Sequence, residues 1–230
     1  MKKIDFDDYT GNYNELLRRE TKFFSSDEDY FAKYKVLLAR EIIRDEPRRV
    51  LEFGCGIGRN LPFLRDVFKT AEIMGSDISE KSIESARLSN KGIYCWTEGN
   101  IAEEKSDFDL IFVAGVFHHI PTLGREEAMG KIYHRLAIGG NLLIFEHNPY
   151  NPITRKIVNA CPYDQGVILL KPRQLRRHID TAGLTVLRQG YSLFFPPRFK
   201  ILNKWEKYLS SLPLGGQYWI HAVKRYGKVL

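Results

Sequence analysis

A chain of 230 residues with 43% hydrophobic and 27% charged residues has the composition of an ordinary globular protein, which excludes a disordered or fibrous chain. It carries a net charge of +7, contains no apolar run of about eighteen residues, and lacks a signal peptide's apolar stretch, so neither a membrane span nor secretion is expected. Three scattered cysteines, Cys55, Cys95 and Cys161, predict neither a disulfide framework nor a zinc site. We therefore expect one cytoplasmic domain without a bound metal ion.

Helices and strands are predicted to alternate along most of the chain. Residues 1–45 have the pattern of polar helices with aromatic positions. Short apolar strands are predicted at 49–53, 71–77, 93–96, 108–113 and 142–145. A helix over 125–136 precedes the last of these, and the pair Gly139-Gly140 is predicted to form the turn between them. Strands that are nearly continuously apolar and alternate with helices favour a parallel sheet covered on both faces.

The end of the chain departs from this alternation. Two further strands, 184–188 and 218–223, have no clear crossover helix between them, so an antiparallel closing pair fits better. Between them, residues 198–212 carry apolar side chains at helical spacing. We expect this segment to pack onto the sheet and to form a lid with residues 1–45; contact with a lipid headgroup layer is the alternative.

A glycine-rich loop, residues 54–58, follows the first strand with the spacing G-x-G-x-G. Glycine lets the backbone turn tightly and approach a ligand closely. A dinucleotide-binding loop requires a further glycine where this chain has Arg59. Glu52, just before the loop, would repel a pyrophosphate but suits a cationic ligand. S-adenosylmethionine carries an ammonium and a sulfonium group and therefore fits this loop.

Two later segments are predicted to hold the rest of such a ligand. Asp77 ends the second strand, where its carboxylate can accept both hydroxyls of a ribose; a helix cap is the alternative. Asn100 follows the third strand and can bond an adenine amino group, although a plain turn explains it nearly as well. Ile78 and Ile101 can sandwich the adenine ring.

Together these motifs resemble those of the class I S-adenosylmethionine-dependent methyltransferases. The resemblance covers about residues 48–147 and includes the loop, Asp77, the strand and loop 108–120, and the turn 135–144. It implies a Rossmann-like, seven-stranded, mostly parallel sheet with an antiparallel last strand. It also implies a set of residues that contact the cofactor: Glu52, Phe53, Gly54, Cys55, Gly56, Gly58, Asp77, Ile78, Asn100, Ile101, Ala114 and Phe117.

Three histidines are positioned for chemistry at the carboxyl edge of the predicted sheet. His118 and His119 follow the fourth strand, and His147 ends the fifth. Methyl transfer to a hydroxyl requires removal of a proton, and histidine is the natural base near neutral pH. The alternative is that these histidines pack beside the cofactor or bond backbone groups.

The acceptor is predicted to lie near the proline-stiffened exit from the fifth strand. Asn148, Tyr150, Asn151 and Arg155 offer hydrogen bonds and a positive charge there, and the rigid turn 159–166 is expected to line the same pocket. These features favour O-methylation of a small or glycan-like polar acceptor, with an anionic one as a candidate. N-methylation of a small amine is the nearest rival.

The C-terminal part of the chain is strongly basic, which is compatible with a third function. Residues 171–230 contain twelve Lys and Arg against two acids, Asp180 and Glu206. Such a face is often only solvated, but it also suits an anionic acceptor or peripheral contact with an anionic membrane. The chain shows no module for sequence-specific binding of nucleic acid. A non-catalytic protein that binds the cofactor and holds a membrane or nucleic acid is the alternative from another class.

Overall fold

The structure, a computed structural model, describes residues 29–100, 104–164, 166–196, 198–199, 202 and 205–226. Seven strands form one sheet, which is flanked by helices. The strands are β1 (Arg49–Phe53), β2 (Glu72–Asp77), β3 (Tyr94–Thr97), β4 (Phe108–Ala114), β5 (Leu136–His147), β6 (Thr185–Ser192) and β7 (Gln217–Val223). The helices are α1 (Tyr30–Ile42), α2 (Leu61–Val67), α3 (Glu80–Ser89), α4 (Arg125–Arg135), α5 (Pro152–Ala160), α6 (Pro172–Thr181) and α7 (Glu206–Leu209).

The strand order is β3-β2-β1-β4-β5-β7-β6, and β7 runs antiparallel to both of its neighbours, β5 and β6. The other pairings, from β3 across to β5, are parallel. This confirms the predicted sheet and its antiparallel closing pair. The chain moves outward from β1 to β3 and then returns to place β4 on the other side of β1. A crevice for ligands is expected at that reversal, outside the carboxyl ends of β1 and β4.

Two apolar clusters lie on opposite faces of the sheet. One contains Ile132 of α4 and Leu175 of α6, and the other contains Val36 of α1, Leu64 of α2 and Ile83 of α3, all fully buried. Helices therefore cover both faces, which explains why the central strands are apolar along nearly their whole length.

The region around Gly139 and Gly140 differs from its prediction. These residues form an irregularity inside β5, which begins at Leu136, rather than a turn before it. Gly139 adopts a φ of 82° and donates its N–H to the carbonyl of Lys224, which in turn donates to Gly140. Bonds to the chain beyond β7 thus keep this stretch in the sheet. Helices α5 and α6, each of which begins at a proline, were also not predicted.

Part of the two segments predicted to form a lid can be located, and their lid role stays a prediction. Residues 1–28 and several positions in 198–212 lie outside the described residues, but α1 falls within the predicted N-terminal helices. The carboxylate of Glu206 in α7 accepts a bond from the N–H of Phe194 at 2.6 Å and is also bonded to the Tyr34 hydroxyl of α1. Among the described residues, no helix is both long and apolar enough to cross a bilayer.

Candidate functional site

The three glycines of the loop after β1 all have a left-handed backbone, with φ values of 73°, 53° and 81° at Gly54, Gly56 and Gly58. A Cβ added at Gly54 would lie 2.5 Å from Cγ2 of Val116, and one at Gly58 would lie 2.5 Å from Nδ2 of Asn90. A Cβ at Gly56 would meet no atom within 4 Å. The outer glycines therefore allow close packing, while the middle one leaves bare backbone facing open space, where a ligand can approach.

Glu52 is buried beneath this loop. Its Oε1 accepts a hydrogen bond from Nδ2 of Asn60, but its Oε2 has no hydrogen-bond partner among the described residues. Burial raises the pKa of Glu52 to about 8, although the bond from Asn60 and the charge of Lys35 act in the opposite direction. An unpaired buried carboxylate oxygen is costly, and a cationic ligand group would satisfy it. This atom fits the ammonium group that the sequence analysis assigned to the ligand.

Asp77 connects the loop to the next helix. Its Oδ2 accepts the N–H of Gly56 at 2.8 Å, and its Oδ1 accepts the N–H of Ser79 at 2.9 Å. Each carboxylate oxygen can accept a second bond, so both remain able to bind ribose hydroxyls. The neighbouring Ile78 side chain is 69% exposed and is therefore available to cover a ring. Asn100 lies in an exposed turn and donates its N–H to Thr97, while Ile101 lies outside the described residues.

Four further residues predicted to contact the cofactor lie in or beside the core. The side chains of Phe53, Cys55 and Phe117 are buried, and Ala114 is partly buried at the end of β4. The thiol of Cys55 packs against Gly75, beside the thiol of Cys95. The side chains of these three buried residues therefore belong to the core, and their contact with a cofactor stays a prediction.

The structure brings the three predicted histidines together at the carboxyl ends of β4 and β5. The rings of His118 and His119 have centroids 4.1 Å apart, and those of His118 and His147 are 5.0 Å apart. Nδ1 of His118 lies 2.6 Å from Oε2 of Glu146, and its Nε2 lies 3.7 Å from Oδ1 of Asp164. Nε2 of His119 lies 3.3 Å from the same oxygen of Asp164. Three imidazoles and two carboxylates thus form one polar cluster.

The histidines of this cluster differ in charge. Burial acts to lower the pKa of His118, but the Glu146 and Asp164 carboxylates outweigh it and raise that pKa to about 9. Burial and the charge of His118 lower the pKa of His119 to about 3 and that of His147 to about 4. One cationic imidazole is therefore held between two carboxylates, and two neutral imidazoles lie beside it.

Glu146 organises this cluster, and the sequence analysis gave it no role. Its Oε1 accepts the N–H groups of Val116 at 3.0 Å and Phe117 at 2.7 Å, while its Oε2 binds His118. The signal in the sequence was a charged residue inside the apolar strand β5, because a buried charge requires partners. Asp164 was also missed as an individual residue, although the turn that carries it was predicted to line the acceptor pocket.

Two asparagines of the predicted acceptor site are already engaged. The buried amide of Asn148 donates to the carbonyls of Pro213 and Gly215, and its oxygen accepts the N–H of Tyr150. Asn151 caps α5 through the N–H groups of its first turn and donates to Leu214. These side chains hold the loop before β7, and their contact with an acceptor stays a prediction.

The other two predicted acceptor residues have exposed side chains. Tyr150 is 51% exposed next to the cluster-bearing strand β5. Arg155 lies on α5 in a shallow surface groove with Lys156, as expected for a solvated helix residue. A cation that the sequence analysis did not identify is nearer the site: Lys35 of α1 is partly buried, and burial lowers its pKa to about 8 while Glu52 and Glu146 act to raise it.

Comparisons with known proteins agree with this geometry. A family model described as a methyltransferase domain matches residues 20–189. A trans-aconitate 2-methyltransferase of Variovorax paradoxus is 28% identical over 142 residues, which are 57% of this chain and 52% of that protein. The chain spans about half the length of the curated relatives it matches.

Solved structures share the fold at low identity. A S-adenosylmethionine-dependent methyltransferase from Thermotoga maritima, described as a possible histamine N-methyltransferase, is 19% identical with a TM-score of 0.65 over 96% of this chain and 98% of that one. Phosphoethanolamine N-methyltransferase 2 of Haemonchus contortus, solved with S-adenosyl-L-methionine, is 16% identical with a TM-score of 0.63 over 96% and 60% of the respective chains. The family match covers most of the chain and agrees with its sheet and glycine loop, so this chain belongs to the methyltransferase domain family, within the class I S-adenosylmethionine-dependent methyltransferases.

Proposed function

We propose that the chain transfers the methyl group of S-adenosylmethionine to an oxygen atom of a small, polar, anionic acceptor. The observation that carries this proposal is the cluster of three histidines and two carboxylates at the carboxyl ends of β4 and β5, beside the glycine loop. A hydroxyl acceptor must lose a proton during transfer, and such groups can receive it. The curated relatives are named for trans-aconitate, a small organic anion, which supports an acceptor of that kind.

The proposed binding of the cofactor uses residues around the loop. The unpaired Oε2 of Glu52 would accept from the ammonium group, and Asp77 would accept from the ribose hydroxyls. The exposed Ile78 would cover the adenine, and the bare backbone at Gly56 would lie against the cofactor. The contacts proposed for Asn100 and Ile101 stay predictions.

Within the cluster, the histidines are assigned different roles. Both ring nitrogens of His118 face carboxylates, so we propose that His118 positions its neighbours and that neutral His119 or His147 receives the proton. Because burial and the charge of His118 lower the pKa of both, either acts as a weak base. Lys35, close enough to Glu52 and Glu146 for their charges to affect it, is a suitable partner for an anionic group of the acceptor. A cytoplasmic location and peripheral membrane contact stay predictions.

Cofactor binding is expected to release a proton from Glu52. Because its pKa is about 8, this carboxyl is mostly protonated at pH 7, and a bound ammonium would favour its ionised form. We expect release of about one proton per cofactor at pH 7 and tighter binding as the pH rises from 6 to 8. Calorimetry in two buffers of different ionisation enthalpy measures this. Glu52→Gln should abolish the release of this proton. The same variant is the control for protons released by the amine of the cofactor itself. Equal heats in both buffers for the unmodified protein would contradict the assignment.

The proposed reaction is tested by following labelled methyl groups. The protein is incubated with methyl-labelled S-adenosylmethionine and a small-molecule extract, and the labelled products are treated with mild alkali. Methyl esters lose the label as methanol, whereas methyl ethers and N-methyl groups keep it, and mass spectrometry separates the last two. An ester or ether supports O-methylation, and an N-methyl product contradicts it. The non-catalytic alternative would be supported by two results together. The protein would bind the cofactor without forming a labelled product, and it would bind anionic vesicles or nucleic acid in a salt-sensitive manner.

The base assignment requires separate variants. With an ether-forming acceptor, His119→Gln or His147→Gln should lower kcat/KM by about a hundredfold or more while cofactor affinity is kept. His134→Gln, which removes an exposed histidine of α4, is the matched control. If neither cluster variant lowers turnover more than about tenfold, no histidine is the base. An ester-forming acceptor needs no base, because a carboxylate is already ionised at neutral pH.

A further inference from the structure

Three side chains of the cluster converge in the manner of metal ligands. His118 follows β4, His147 ends β5, and Asp164 lies in the short turn Pro162–Asp164. Each offers one ligand atom, and these atoms all lie within 4.8 Å of one another. We propose that they bind one divalent transition-metal ion at the place where the acceptor oxygen would lie. The three cysteines alone predicted no bound metal, whereas the ligands proposed here are two histidines and an aspartate.

The state of His118 supports a ligand role. The residue is only 3% exposed, and its Nε2 has no hydrogen-bond partner among the described residues. The 3.7 Å from this atom to Oδ1 of Asp164 is too long for a hydrogen bond. It is close to the separation of about 3.4 Å between two ligands on a tetrahedral ion with bonds of about 2.1 Å. A metal ion shared by the two groups is therefore compatible with this spacing, as is the ion pair of cationic His118 with Asp164.

The other nitrogen of His118 has the partner that metal-binding histidines usually have. Its Nδ1 lies 2.6 Å from the buried carboxylate of Glu146, which is itself fixed by the N–H groups of Val116 and Phe117. The ion would displace the Nε2 proton of cationic His118, and a carboxylate in this position keeps the remaining proton on Nδ1, so that Nε2 faces the metal and is a better donor. Glu146 would thus orient a ligand without touching the ion.

The ligand set indicates the kind of ion and its use. Two imidazoles and one carboxylate suit Zn²⁺, Fe²⁺ or Co²⁺ better than Mg²⁺ or Ca²⁺, which prefer oxygen ligands. Three protein ligands leave at least one position for a further oxygen. Given the proposed O-methylation, the ion would hold the acceptor oxygen and lower its pKa, and it favours acceptors such as hydroxy acids that chelate metals. His147 would then be a ligand, which leaves His119 as the histidine that receives the proton.

The site is tested with metal alone, without cofactor or acceptor. Protein lacking a polyhistidine tag is stripped with a chelator and titrated with CoCl₂, followed by visible absorption, and with ZnCl₂, followed by calorimetry. We expect one ion per chain. His147→Gln and Asp164→Asn should each weaken binding at least about tenfold, and so should Glu146→Gln. The controls His134→Gln and His178→Gln remove histidines outside the cluster and should bind as the unmodified protein does.

Two results would overturn the proposal: no saturable binding of either ion, or binding that His147→Gln and Asp164→Asn leave unchanged while thermal unfolding shows both variants folded. The outcome is independent of the proposed function, because these titrations involve no methyl transfer. If the protein binds Co²⁺ but methylates oxygen equally well after chelation, the ion's role in the reaction is wrong and O-methylation stands. If it binds Co²⁺ and methylates nitrogen, the metal site stands and the proposed function is wrong.

Discussion

Replacing Asp77 with alanine is expected to weaken cofactor binding by about a hundredfold. The carboxylate accepts the N–H of Gly56 in the glycine loop and the N–H of Ser79 before α3, so the variant leaves both donors without this partner. It also removes the proposed acceptor for the ribose hydroxyls. Loop order and ligand contact are thus lost together. Calorimetry with S-adenosylhomocysteine, the product form of the cofactor, measures the change.

Asp77→Asn separates these two contributions. Asparagine keeps one side-chain oxygen for a backbone N–H but loses the negative charge, so we expect a loss of about tenfold. Thermal unfolding establishes that both variants are folded. If the alanine variant binds within about threefold of the unmodified protein, Asp77 serves only to hold the N–H groups of Gly56 and Ser79, and the ribose assignment is wrong.

Replacing Glu146 with glutamine is expected to lower the free energy of unfolding by about 3 kcal/mol. The carboxylate accepts two backbone N–H groups on one oxygen and binds cationic His118 with the other. A glutamine amide has only one acceptor oxygen. In one orientation its NH₂ group faces the two backbone N–H groups, which are donors. In the other it faces Nδ1 of His118, which can accept only if the ring gives up the proton that the carboxylate stabilised. Either opposed donors remain in the protein interior or His118 loses its charge and its charged partner.

Urea denaturation measures this difference. Glu127→Gln is the control, because it removes the same charge from an exposed pair with Lys131 on α4 and should change stability by less than about 0.5 kcal/mol. A loss below about 1 kcal/mol in Glu146→Gln would show that this carboxylate does not hold the loop after β4 in place.

Much of the fold follows from local pattern. The apolar runs at β1, β2 and β4 are short-range features and were predicted. The cap at Ser79, whose Oγ accepts the N–H of Ser82, is also a short-range feature. The irregularity at Gly139 depends on a bond to Lys224, which is distant in the sequence. Helices α5 and α6 were missed although each begins at a proline and α5 is capped by Asn151, which are local signals of a helix start. A tertiary bond therefore decides the segment at Gly139, but local features set the starts of these two helices.

The candidate site shows the same division. The spacing of Gly54, Gly56 and Gly58 and the position of Asp77 follow from one strand-loop-helix unit and were predictable. The histidine pair was also visible. The engagement of Asn148 with the loop before β7, and the partnership of His118 with Glu146 and Asp164, join residues far apart in the chain. No local pattern specifies such pairings.

The close approach of Gly54 to Val116 has a consequence for engineering. The side chain of Val116 occupies the space where a Cβ of Gly54 would lie, so the glycine loop and the loop after β4 are fitted to each other. Replacing the loop after β4 with that of a relative, in order to change the acceptor, also replaces the side chain that packs against the glycine loop. A bulkier residue at position 116 would then impair cofactor binding before any change in acceptor preference could be observed. The two loops are better exchanged as one unit.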